Sequence, residues 1–149
     1  MIKRRAEQKL EHWYKSRNRK PLMIRGARQV GKSTLVREFC RKNAIALIEI
    51  NLERHPHLAP LFKAFDTKGL LSEFEAISNR QIGRGSDSGC LVFLDEIQAV
   101  PEAIPCLRYF LEDMPSLPVV SAGSLLEFVL AEHHFEMPVG RVDYLYLGP

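Results

Sequence analysis

No apolar run in the sequence approaches the roughly 18 residues that a bilayer span requires, so a transmembrane helix is excluded. After Met1-Ile2-Lys3-Arg4-Arg5, charged and polar residues continue through Lys15, where a signal peptide would place its apolar core. Export is therefore not expected, and the cytosol is the natural compartment. Cysteine is scarce: Cys40, Cys90 and Cys106 are odd in number, widely spaced and include no CxxC pair. That rules against a disulfide framework and against a zinc site built on thiolates. Cys90 opens an apolar run and reads as a small core residue. There is no internal repeat and no low-complexity tract. What remains is the composition of an ordinary globular protein, 46% hydrophobic and 26% charged over 149 residues, enough for one domain with one core.

Net charge is only +3, but the basic residues are unevenly placed. They crowd Lys3 to Lys20, among them Lys3, Arg4, Arg5, Lys15, Arg17, Arg19 and Lys20. Such a cluster suits nucleic-acid phosphates or an acidic partner, or it is a solvated helix face followed by a polar turn. No aromatics are interleaved with it as a single-strand stacking platform would need, which leaves nucleic acid a weakly supported partner.

Periodicity predicts a helix from about Ile2 to Lys15, through Ala6, Leu10, Trp13 and Tyr14. A strand follows at Leu22–Ile24, a helix at Ser33–Arg41 and a strand at Ala46–Ile50. His55–Phe65, with Pro56 and Pro60, reads as irregular, and a helix is expected at Thr67–Ile77. Gly83–Gly89 (GRGSDSG) reads as a polar loop. Then come a strand at Leu91–Leu94, a helix between Pro101 and Met114 starting near Glu102, and a strand at Pro118–Ser121 closed by Ala122-Gly123. A helix at Ser124–Ala131 and a last strand at Val142–Leu147 complete the chain. Strands that alternate with helices and are apolar on both faces indicate a parallel sheet covered on both sides, an α/β fold.

Three motifs sit on this frame. Gly26-Ala27-Arg28-Gln29-Val30-Gly31-Lys32-Ser33 fits GxxxxGK[ST] between a strand and a helix, the phosphate-binding loop or Walker A motif. Glycines at 26 and 31 permit backbone angles and close approach that a side chain would forbid. Convergent N–H groups and the helix N-terminus suit a phosphate, Lys32 adds a point charge for the β- and γ-phosphates, and Ser33 offers Mg²⁺ a hydroxyl. Thr34 follows directly and joins the candidate nucleotide-binding set. Leu91-Val92-Phe93-Leu94-Asp95-Glu96 has the Walker B form: four apolar residues deliver two acids to the strand edge where α/β sheets bind ligands. Asp95 is the candidate to hold Mg²⁺ through its water shell, and Glu96 the candidate catalytic carboxylate that polarises the attacking water. An acid beside that Asp, with no guanine-reading NKxD segment, favours ATP over GTP.

The third motif is Val119-Val120-Ser121-Ala122-Gly123-Ser124. A polar side chain at that strand end can sense a γ-phosphate; Ser121 is the first candidate and Ser124 the second, the alternative being a strand-to-helix turn with Ser124 as N-cap. Arg141, before the last strand, is either an arginine finger toward a neighbouring subunit or a surface cation. His133 and His134 have no third ligand at metal spacing and read as polar surface.

Trp13, Lys20-Pro21-Leu22, IRGARQVGKSTL, LVFLDEIQ, SAGSLLEF and PVGRVDYLYLGP occur in this order, and together they resemble the prokaryotic AAA-type ATPases of the archaeal-ATPase-like group. The resemblance spans nearly the whole chain; Arg28 and Gln29 within GARQVGKST, then Asp95-Glu96-Ile97-Gln98, are its sharpest marks. It implies an ASCE-type P-loop fold, a three-layer α/β/α sandwich whose five parallel strands run in the order 5-1-4-3-2. It also implies Mg²⁺-dependent ATP hydrolysis, and often a homo-oligomer in which one subunit completes its neighbour's site. Lys32, Ser33, Asp95 and Glu96 carry over directly, with Ser121 or Ser124 as sensor and Arg141 as finger. The expected organisation is one AAA-type core over residues 1–149, with residues 1–20 its N-terminal helix and basic turn. Members usually continue into a helical lid and a C-terminal domain. Neither has a counterpart before Pro149, so a fragment or truncated copy is expected.

These readings favour an ATPase core that turns nucleotide state into conformational change. The rival is a non-catalytic, ATP-ordered interaction module. A small-molecule kinase would use the same loop, but the Arg-rich lid segment it needs is not found.

Overall fold

A computed structural model describes residues 2–26, 31–82, 89–123 and 140–147. In chain order the elements are α1 (Ile2–Lys15), β1 (Leu22–Arg25), α2 (Lys32–Lys42), β2 (Ala46–Asn51), α3 (Ala59–Lys63), α4 (Thr67–Ser78), β3 (Cys90–Asp95), α5 (Ala103–Asp113), β4 (Val119–Gly123) and β5 (Asp143–Tyr146). Short 3₁₀ turns lie at Pro56–Leu58 and Ile97–Ala99. The helix expected at Ser124–Ala131, the loop at 83–88, Ser124, His133 and His134 lie outside the described residues.

All five strands are parallel, in the order β2-β3-β4-β1-β5, which is the expected 5-1-4-3-2 read from the other edge. Alternate side chains build two cores. Leu22, Ile24, Leu91, Phe93, Val120, Ala122 and Leu145 pack with α1 and α2 on one face. Met23, Ile48, Ile50, Val92, Leu94 and Val119 pack with α4 and α5 on the other. β3 is buried along its whole length, as an interior strand between two helical layers must be. Among the described residues, no helix is long and apolar enough to cross a membrane.

Two expectations are corrected. His55–Phe65 is not irregular but holds the 3₁₀ turn and α3, because its prolines fall in first-turn positions where a missing N–H costs nothing. β4 continues to Gly123, two residues beyond the predicted end.

The basic N-terminal region is partly structural. Arg19 donates to the Tyr14 carbonyl at 2.7 Å and to the Ser116 carbonyl at 2.8 Å, and its guanidinium lies over the Trp13 and Tyr14 rings. Burial pushes its pKa down from the ordinary arginine value. Trp13 Nε1 donates to the Lys20 carbonyl at 2.7 Å, so the turn after α1 is fastened at both ends. Arg19 is thus a tether for the turn, where the sequence offered it as a solvated or phosphate-facing cation.

Phe93 is fully buried two residues before Asp95. Phe93→Ala is expected to cost about 3–5 kcal/mol of unfolding free energy through lost burial and an unfilled cavity, read as a lower urea midpoint at unchanged m-value.

Candidate functional site

The C-terminal ends of parallel strands share one sheet edge, and the sequence motifs meet there. β1 ends at Arg25 and delivers Gly26; β3 ends at Asp95 and delivers Glu96. The chain returns from the loop at Gly31, whose φ of 87° is left-handed. A Cβ added at Gly31 would meet nothing within 4 Å, so glycine is needed there for conformation rather than for space. Ala27, Arg28, Gln29 and Val30, the middle of the loop, lie outside the described residues.

Gly31 precedes the first turn of α2 and its carbonyl accepts from the Leu35 N–H at 2.9 Å. No described side chain caps this N-terminus, which leaves its N–H groups for an anion. Lys32, half-buried, donates from Nζ to the Gly26 carbonyl at 2.8 Å, bridging the two ends of the loop. Ser33 Oγ donates to Asp95 Oδ2 at 2.8 Å, joining the helix start to the end of β3. Thr34 is exposed beside them.

Asp95 is buried, and burial raises its pKa above the ordinary carboxylate value. The Ser33 hydroxyl and the Glu96 N–H, which donates to Oδ1 at 2.9 Å, oppose that rise. Glu96 and Glu49 add to it by charge repulsion. Burial lowers the pKa of Lys32, opposed by the charges of Glu96 and Asp95. A divalent cation suits this donor set: a buried carboxylate and a hydroxyl, converging from two elements.

Glu96 occupies the left-handed region, φ 53° and ψ 49°. This turn folds Ile97–Ala99 back, and Gln98 Nε2 donates to Glu96 Oε2 in a short hydrogen bond. Sequence motifs alone assign no role to Gln98 or to Gly123, against which it packs. The signal was present, since Gln98 closes the DEIQ segment that marks the family.

Ser121 is fully buried inside the sheet. Its hydroxyl reaches the Leu22 carbonyl at 3.3 Å and Met23 Sδ at 3.4 Å. It stands two residues short of the strand end, so the geometry spends it on β1 rather than presenting it at the edge. Arg141 is exposed, and it too stands apart from these groups. β5 starts at Asp143 opposite Leu22, the first residue of β1, so Arg141 sits at the N-terminal edge of the sheet. The motifs lie at the other end of strands that rise ~3.3 Å per residue, which keeps Arg141 out of the site on its own chain. A groove of about 680 Å³ between α1 and β5, lined by Arg5, Lys9, His12 and Asp143, also lies away from the motifs.

The buried Asp95 gives a pH prediction. Its folded-state pKa is raised, so the native state holds a proton more tightly than the unfolded chain does. Stability tied to this group is present below the unfolded carboxylate pKa of about 3.9 and is lost as pH rises through the raised value. In metal-free buffer, the unfolding free energy of Asp95→Asn relative to wild type should therefore shift in the variant's favour between pH 4 and pH 7, measured by urea titration. A difference that stays flat or shifts the other way would contradict the assigned cause.

Among curated proteins, none matches the chain in sequence. A family model described as AAA domain matches residues 18–149. The match covers all five strands and both motifs, and nucleotide binding of an ATPase type is the general function of that family. The parallel sheet, its strand order and the family match agree: the chain belongs to the AAA domain family of ATPases.

Proposed function

We propose that the chain binds Mg·ATP at the edge formed by β1, β3 and the start of α2, hydrolyses it, and couples nucleotide state to conformation. The observation that carries this reading is the Ser33–Asp95 hydrogen bond of 2.8 Å beside the Lys32 ammonium. It unites the two sequence motifs, 62 residues apart, at one sheet edge.

Gly26 to Ser33 and Thr34 would enclose the phosphates, with Lys32 Nζ turning from the Gly26 carbonyl to phosphate oxygens. Ser33 Oγ and Asp95 would hold Mg²⁺, which when bound supplies positive charge to the β- and γ-phosphates. Glu96 would orient a water for in-line attack and draw its proton onto the carboxylate. Lys32 would oppose the charge that develops on the transferred phosphoryl group. The buried position of the Ser121 hydroxyl favours Ser124 over Ser121 as the sensor. Arg141, at the far edge of its own sheet, would act only on a neighbour's nucleotide in a homo-oligomer. ATP is preferred to GTP because no guanine-reading segment is present.

Lys32→Ala should weaken Mg·ATP binding by roughly 10- to 100-fold, the worth of one or two charge-assisted hydrogen bonds, in a titration by calorimetry or fluorescence. Glu96→Gln should bind normally and lose about 10²- to 10⁴-fold in steady-state phosphate release, the range for a positioned general base. Undiminished binding in the Lys32 variant would sink the loop assignment. Turnover that rises faster than linearly with protein concentration, and falls to linear in Arg141→Ala, is the signature of a site completed in trans. Tight binding without turnover would favour a non-catalytic nucleotide switch.

A further inference from the structure

Glu96 is not held by its own backbone alone. Its left-handed conformation is uncommon for a residue with a side chain, and its carboxylate is gripped by the amide of Gln98 two residues later. We propose that Gln98 is a positioning residue that fixes the direction of the Glu96 carboxylate, and that Gly123 at the end of β4 is the seat that keeps Gln98 in place. The proposal rests on the reading of Glu96 as the residue that orients the attacking water.

The two ends of the Gln98 amide argue for this. Nε2 donates to Glu96 Oε2, a charge-assisted bond. Oε1 is buried and, among the described residues, has no hydrogen-bond partner. A reversed amide would set its oxygen against a carboxylate oxygen, two acceptors face to face, so the network fixes the orientation. A glutamine retained only for packing would be expected to satisfy its buried oxygen. Among the described residues, this one satisfies only the end that touches Glu96.

Gly123 explains how the amide fits. A Cβ at residue 123 would lie 2.3 Å from Gln98 Oε1 and 3.2 Å from Ile97 Cγ2. The amide oxygen therefore rests directly on the glycine backbone, and any side chain at 123 would displace the amide from its present position. The backbone angle is not the reason for this glycine, since it lies in a regular strand and has no positive φ. An amide is also suited to the task. It donates to a carboxylate, yet at neutral pH it neither takes up a proton nor carries a charge to compete for the cation.

The test uses the full chain and five variants: Gln98→Ala, Gly123→Ala, the double variant, Glu96→Gln as control, and Glu96→Ala for amide exchange. With Mg·ATP, each of the first two should lower kcat about tenfold while KM and nucleotide Kd stay within about twofold, the split expected when a transition-state group is misdirected. The double variant should be no slower than Gln98→Ala, because the methyl at 123 acts only through Gln98. Unchanged kcat in Gln98→Ala, KM that moves with kcat, or effects that multiply in the double variant would each overturn the proposal. If Glu96→Gln itself keeps full turnover, the reading of Glu96 fails instead, and this inference falls with it. The contact has its own readout: the Gln98 side-chain amide protons should exchange slowly with solvent in ¹⁵N spectra of the wild type, and faster in both Gly123→Ala and Glu96→Ala. Equal exchange rates in all three would dismiss the contact, and slow exchange in a wild-type chain with no turnover would dismiss its catalytic role. Since the clash at 123 is chiefly with the far end of a flexible side chain, Gly123→Ala should fold, and Gln98→Ala tests the idea independently if it does not.

Discussion

Burying the carboxylate of Asp95 at the end of β3, an interior strand, is the constraint around which the site is arranged. Every residue of β3 is buried, and its last one carries a charge. A carboxylate there is costly unless donors reach it. Two do: the Glu96 N–H, brought round by the left-handed turn, and the Ser33 hydroxyl from the first turn of α2. β1 and β3 are not neighbours, since β4 lies between them. At about 4.8 Å per strand, the chain leaving β1 must cross nearly 10 Å before Ser33 can meet Asp95. Ser33, in the first turn of α2, stands on the far side of that gap, and α2 packs over β2 and β3. Strand order, loop and helix placement therefore answer one electrostatic requirement.

Much of this was legible in the sequence because it is local. Apolar runs ending in a glycine loop or an acid pair name their strands, and parallel strands place those ends on one edge. Even the distance of Arg141 from its own site follows from that rule, because the residue precedes its strand while the motif residues follow theirs. Ser121 was misplaced for a local reason: Ala122-Gly123 reads as a strand terminator, whereas Gly123 is a strand residue. The prolines at 56 and 60 misled in the same way, marking helix starts where a break was expected.

What was not legible is the packing between separate segments. Nothing in the order of residues says that Gln98 Oε1 will lie over the Cα of Gly123, or that Arg19 will bond to the Ser116 carbonyl, 97 residues away. The Gln98–Gly123 contact depends on β4 inserting beside β3 in the register that pairs Leu94 with Ser121. A shift by one residue would turn the β4 side chains to the opposite face and remove the seat.

The internal bonds of the site also bear on how nucleotide can be coupled to shape. The Gly26 carbonyl holds the Lys32 ammonium, and the Ser33 hydroxyl already serves Asp95. A phosphate or a cation arriving here competes with these bonds and does not simply add to them, so the net gain is the difference between two sets of contacts. That difference is smaller than a sum of new contacts would suggest, but it has a consequence. Drawing Lys32 away from Gly26 releases the clasp between the two ends of the loop, and engaging Ser33 elsewhere alters the partner of a buried carboxylate on β3. On the proposed reading the two motifs would respond together: a shift at the start of α2 would change the environment of Asp95 and, through the Glu96 turn, that of Gln98 beside the end of β4. A nucleotide that engages Lys32 and Ser33 would, on that reading, act on β3 through these same contacts.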